Sequence, residues 1–159
     1  MLFRSGYAAG PKEIIQAMSN LQDHSTSNPT SIAQYASVEA LEGSQEDLKK
    51  MAAEFKNRRD YMVERINSIK GLSTLKPDGA FYCWVNVKSL FGKSYDDFVI
   101  KDSLTLTDLL LSKARVAVVP GCVFGDDNYI RLSYATSMEN IKEGLNRIEG
   151  FVNKLIMKP

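Results

Sequence analysis

The chain contains a single histidine, His24, and two cysteines, Cys83 and Cys122. A zinc site needs three or four ligands at close spacing, and these residues cannot supply them, so no metal site is expected. A Ser-His-Asp hydrolase would have to recruit His24, and no G-x-S-x-G elbow occurs anywhere in the sequence. Charge of one sign is missing too: 20 Lys+Arg against 19 Asp+Glu leave a formal net charge of +1. There is thus no general electrostatic pull toward nucleic acid or anionic lipid. Apolar runs are short, typified by Ala80-Phe81-Tyr82-Cys83-Trp84-Val85, well below the ~20 residues of a membrane helix. Residues 1–10 place Arg4 among small and polar groups and show no signal-peptide pattern. The expectation is a cytoplasmic protein that partners neither nucleic acid nor membrane, with both thiols reduced and buried. With 44% apolar and 25% charged residues over 159 positions, the composition is that of one ordinary globular domain, not disorder, collagen or coiled coil.

What is present reads as a small sheet with helices packed on it, an α/β (α+β) body. Pro11 and Glu13 open an amphipathic helix over 11–23, with Ile14, Ile15, Met18 and Leu21 on one face. The polar run 24–29 ending in Asn28-Pro29 is a loop. A second helix, about 30–42, carries an apolar arc (Ile32, Tyr35, Ala36, Val38, Leu41) wide enough to predict that it is largely buried. Ser44 can cap a long third helix whose stripe (Leu48, Met51, Phe55, Met62, Ile66, Ile69) persists until Gly71, with Arg58 and Arg59 on its solvated side. Ala80 to Val87 is a strand, 88–102 a loop, Thr105 to Ala114 a helix and Val116 to Val119 a short buried strand. Tyr129 to Tyr134 alternates, with Ile130, Leu132 and Tyr134 on one side. Thr136-Ser137-Met138-Glu139 reads as a capping box, followed by Met138, Ile141, Leu145, Ile148, Val152 and Leu155 at helical spacing.

Three features could carry chemistry. Arg4-Ser5-Gly6-Tyr7-Ala8-Ala9-Gly10-Pro11 surrounds one arginine with small residues, but is neither a P-loop nor a dinucleotide fingerprint. On the residues alone it serves equally as a strand leading into a helix. Val119-Pro120-Gly121-Cys122-Val123-Phe124-Gly125 is a glycine-bracketed turn that suits close backbone approach to a ligand or simply a tight turn. Arg131 stands on a regular strand, where it either faces solvent or presents a planar fork to a carboxylate.

In order along the chain these features join others. Arg4-x-Gly6-Tyr7…Gly10-Pro11, Ser27-Asn28-Pro29, Pro77-x-Gly79-Ala80-Phe81-Tyr82, Val118-Val119-Pro120-Gly121-x-x-Phe124-Gly125 and Ile130-Arg131-Leu132-Ser133 together resemble the C-terminal part of class I, fold-type I pyridoxal-phosphate-dependent aminotransferases. The aspartate aminotransferase-like branch is the nearest in pattern. The resemblance implies that Arg4 binds the phosphate of pyridoxal 5'-phosphate and that Arg131 clamps the substrate α-carboxylate. It implies amino acid and 2-oxo acid substrates, a homodimeric enzyme, and two regions here: 1–43 as the tail of the large cofactor-binding domain and 44–159 as the C-terminal small domain.

The departures matter as much. In the family the Schiff-base lysine lies several residues before the phosphate arginine, and only Met1, Leu2 and Phe3 precede Arg4 here. Lys12 does not match that motif. No residue of this chain is therefore assigned a catalytic role, and the chain alone is expected to be inactive and not to hold the cofactor. The family's arginine before Asn-Pro, which binds a side-chain carboxylate in one branch, has no counterpart in Asp23-His24-Ser25-Thr26. The alternatives are a non-catalytic, truncated binding or dimerisation module, or an aminotransferase for another amino acid.

Overall fold

Pro11 has no amide proton to waste at a helix start, and from it α1 runs Lys12–Ser25, the amides of Ile14 and Ile15 bonding back to the Pro11 carbonyl. In this computed structural model, which describes residues 5–157, the chain divides into two compact units, residues 1–50 and 51–159. Arg4 lies outside the described residues.

In residues 5–50, Thr30 caps α2 (Ser31–Glu42) by accepting the Ala33 amide, and Ser44 accepts the Glu46 amide where α3 (Glu46–Ser68) begins. The predicted burial of the second helix is corrected. No residue of α2 is buried, and Ile32 and Tyr35 are 83% and 79% exposed. A helix buries a wide apolar arc only against another layer, and the described elements of this unit are helices without a strand.

In residues 51–159 the core is assembled from α3, a four-stranded antiparallel sheet and α5. The sheet order is β1 (Ser73–Thr74), β2 (Tyr82–Asn86), β6 (Tyr129–Ser133), β5 (Val119–Pro120). Period-two alternation sends Cys83, Val85, Ile130 and Leu132 into the core beneath Met62 and Ile66 of α3 and Ile141, Leu145 and Ile148 of α5 (Met138–Val152). Arg65 of α3 pairs with Glu149 of α5 across this layer, which holds the carboxyl below its ordinary range. Burial pushes the Cys83 thiol up to about 11, so it is an inert core group.

Several sequence expectations shift. The stretch 88–102 is not a plain loop: β3 (Lys93–Tyr95) and β4 (Phe98–Val99) form a hairpin, and β7 (Ile156–Met157) adds to β3. The helix expected at 105–114 starts earlier, as α4 (Ser103–Leu109) capped by Asp102, and continues as a π-helical turn, Leu110–Ala114. The last cap moves by one residue: Ser137 accepts the Asn140 amide, and Asn140 in turn donates to Thr136 Oγ1. Arg58 and Arg59 are half-buried rather than solvated; Arg58 pairs with Glu54 over the Phe55 ring, and Arg59 pairs with Asp60 and donates to the Pro77 carbonyl. Cys122 is exposed, because it sits in a 3₁₀ turn rather than on a strand, and both thiols are free.

Candidate functional site

Strands β2 and β6 are neighbours in register, Trp84 opposite Arg131 and Asn86 opposite Tyr129. Because Cys83, Val85, Ile130 and Leu132 face the core, the intervening residues Tyr82, Trp84, Tyr129 and Arg131 share the outer face. That face is walled with rings. Trp84 and Tyr129 stack at 5.4 Å with their planes 8° apart, and Trp84 meets Phe124 edge-on at 5.5 Å.

Arg131 stands among these rings half-buried. Its guanidinium lies 4.8 Å from the centre of the Phe124 ring and 5.3 Å from that of Tyr82. Each such contact contributes on the order of 0.5–1 kcal/mol at a partly exposed position. Among the described residues no carboxylate forms an ion pair with it. The N–H fork is thus steered by aromatic faces while its charge is left unmatched by the protein, a combination suited to an anionic ligand.

Phe124 reaches the guanidinium because of the turn that follows β5. The 3₁₀ segment Gly121–Phe124 ends at Gly125, whose φ of 89° belongs to the left-handed region that favours glycine. At Gly121 the constraint is spatial: a Cβ there would collide with the carbonyl groups of Asp126 and Tyr129. Beyond the turn, Asp126 Oδ1 accepts from the Asn128 amide, and the Asn128 carbonyl accepts the Val87 amide.

The other end of β2 is held under strain. Ala80 has φ of 65°, a left-handed conformation that costs an L-residue ~1–2 kcal/mol. Tyr134, buried in the core, donates its hydroxyl to the Ala80 carbonyl at 3.1 Å, and its amide donates to Phe81 O at 2.8 Å. These bonds set the approach of the chain into β2, and with it the position of Tyr82.

Of the two arginines singled out in the sequence, Arg131 is placed in a defined ring-lined site, and Arg4 falls outside the described residues. Sequence reading put Tyr129 on the Arg131 side of its strand, and the family resemblance put the Phe124 turn near the substrate, but Tyr82 and Trp84 were missed as walls of the site. Alternation along β2 carried the signal for those two once its pairing with β6 is known.

Comparison with known proteins agrees with this architecture. The family model for aminotransferase class I and II matches residues 2–148. A probable aspartate/prephenate aminotransferase of Rickettsia prowazekii is 43% identical over 154 residues, covering 96% of this chain and 39% of that protein. The aspartate aminotransferase of Bacillus subtilis is 44% identical over 156 residues, covering 96% and 38%. A crystal structure of an aspartate aminotransferase from Rhizobium meliloti superimposes with a TM-score of 0.86 at 42% identity, covering 92% of this chain and 37% of that one. The chain thus spans less than two-fifths of the length of these relatives. On sequence and fold together, it belongs to the class I and II aminotransferases.

Proposed function

We propose that this chain is the C-terminal portion of an aspartate aminotransferase, a cytoplasmic homodimer that exchanges amino groups between amino acids and 2-oxo acids, and that Arg131 clamps the substrate α-carboxylate. In this reading residues 1–43 are the tail of the large cofactor-binding domain and 44–159 the small domain. The observation that carries it is the unmatched guanidinium on β6, oriented by the Phe124 and Tyr82 rings. The family names of the relatives support the amino acid and 2-oxo acid class.

Two parallel N–H···O bonds from a guanidinium hold a carboxylate in one plane, and a regular strand fixes that plane relative to the rest of the substrate. The rings on Arg131 shield the ion pair from water on their side and so strengthen it. Family membership implies pyridoxal phosphate for the intact enzyme. The described residues of this chain do not fit it. The groups against Arg131 are rings, and among the described residues lining a cavity of about 670 Å³ in residues 5–41 (Ser5, Tyr7, Asn28, Gln34 and Ser37 among others) none is cationic; Arg4, which the family pattern gives to the phosphate, lies outside the described residues. The site on β6 is therefore tested by binding of a carboxylate ligand.

Trp84 is the single tryptophan of the chain and sits opposite Arg131 in the sheet. Titration of the 159-residue chain with succinate or 2-oxoglutarate, followed by Trp84 fluorescence, is expected to show saturable binding. Arg131→Ala should weaken it by about tenfold or more, the size of one charge-assisted bidentate contact. Arg131→Lys should fall between, since it keeps the charge without the fork. An identical titration for Arg131→Ala would overturn the assignment.

A further inference from the structure

The turn that brings Phe124 onto Arg131 has little burial of its own. Val123 is 64% exposed and Phe124 51%. Burial of these two side chains is only partial, which leaves polar bonds to help set where the ring sits. Three hydrogen bonds at the start of α4 take that role. Ser103 is fully buried, at 0% exposure, and is the first residue of that helix. Its hydroxyl donates to Asp127 Oδ1 at 2.6 Å, and its amide donates to the same oxygen at 3.0 Å. The hydroxyl oxygen then accepts the amide of Cys122 at 3.2 Å.

This chain of bonds has a direction. Asp127 Oδ1 accepts the Ser103 O–H, which leaves a lone pair of the hydroxyl oxygen aimed at the turn. Ser103 thereby links both flanks of the segment 121–127, Cys122 on one side and Asp127 on the other, to a helix whose Leu106 and Leu109 are in the core. Phe124 lies two residues after the amide so held, and it contacts both Arg131 and Trp84.

We propose that Ser103 and Asp127 are positioning residues of the carboxylate site: through the Cys122 amide they hold the turn so that the Phe124 ring orients the Arg131 guanidinium. The proposal rests on the reading of Arg131 as the carboxylate clamp. Neither residue touches the ligand, and their effect passes through the turn.

The test uses the full chain and two readouts. The first is the Nε–H resonance of Arg131, which the Phe124 ring shifts by its ring current; Phe124→Leu assigns that shift. The second is the Trp84 fluorescence titration with succinate. In Ser103→Ala and Asp127→Ala the Arg131 resonance is expected to move toward its position in Phe124→Leu. Succinate affinity is expected to fall about threefold to tenfold, the range for one hydrogen bond. Ser103→Thr, which keeps the hydroxyl, should restore both. Asp127 is exposed, so Asp127→Ala provides a folded variant if Ser103→Ala does not fold. A role in stability alone would lower the melting temperature while leaving the resonance and the affinity of the folded protein unmoved, and that result overturns the proposal. If the parent chain fails to bind succinate, the clamp reading falls; the Arg131 resonance still decides whether Ser103 and Asp127 place the ring.

Discussion

Residues 5–50 and residues 51–157 are both rich in regular structure, yet they are held by different forces. The first stretch has helices with the expected apolar stripes, α1 opened by Pro11 and α2 capped by Thr30, and none of its described residues is buried. The second combines long helices with short strands and single turns and contains every residue of the buried core. Local signals suffice to start and stop a helix, but helices of 12 and 14 residues are marginal in water without a packed face. Stability therefore resides in residues 51–157, whereas the helices before them display apolar side chains such as Ile32, Tyr35 and Leu41.

The sharpest way to break this contrast is a matched pair of truncations. Leu145→Ala removes a fully buried side chain between α5 and the sheet and should cost about 3 kcal/mol in urea unfolding. Ile32→Ala on α2 should change the same midpoint by less than about 0.5 kcal/mol. Equal losses would show that residues 5–50 belong to the same cooperative unit. A second pair sharpens the contrast through backbone strain. Ala80 and Ser27 both occupy positive φ, at 65° and 62°. Ala80→Gly should raise global stability by about 1 kcal/mol, while Ser27→Gly, acting where no core is formed, should leave the unfolding midpoint unchanged. The smallest effect concerns acid. Asp102 is held below the ordinary 3.8 by the Thr105 hydroxyl and amide, Glu149 by Arg65, and Asp60 by Lys76 and Arg59. A carboxyl with a lowered folded pKa contributes stability that is full above its unfolded value and lost as pH falls through the folded one. Melting temperature should accordingly drop below about pH 4, and Asp102→Ala should flatten part of that drop, at the cost of the helix cap.

Much of the second region was legible. The α5 stripe placed Ile141, Leu145, Ile148 and Val152 inward, and all four are buried; alternation did the same for Ile130, Leu132 and Tyr134. Phe151 was missed because it lies beside the stripe, where it stacks on Tyr95 at 4.7 Å. The β3–β4 hairpin was illegible because strands of three and two residues show no period. Burial of α2 was misjudged because periodicity identifies an apolar face without identifying what covers it. At the site, Arg131 was legible as an arginine on a strand, and the family motifs gave it a role. The β2 rings beside it and the Ser103–Asp127 link were not, since 24 residues separate that pair and only the fold brings them together.

The pairing of β7 with β3 has a bearing on how the molecule is made. Met157 sits opposite Lys93 and Ile156 opposite Ser94. As the chain leaves the ribosome, the β3–β4 hairpin emerges with one edge open and waits for some sixty further residues to be translated before that edge is paired. Closures between such distant segments are the slow ones in folding. An open edge is also where a nascent chain is most exposed to strands of its neighbours. Lys93 and the three-residue length of β3 keep that waiting edge short and charged.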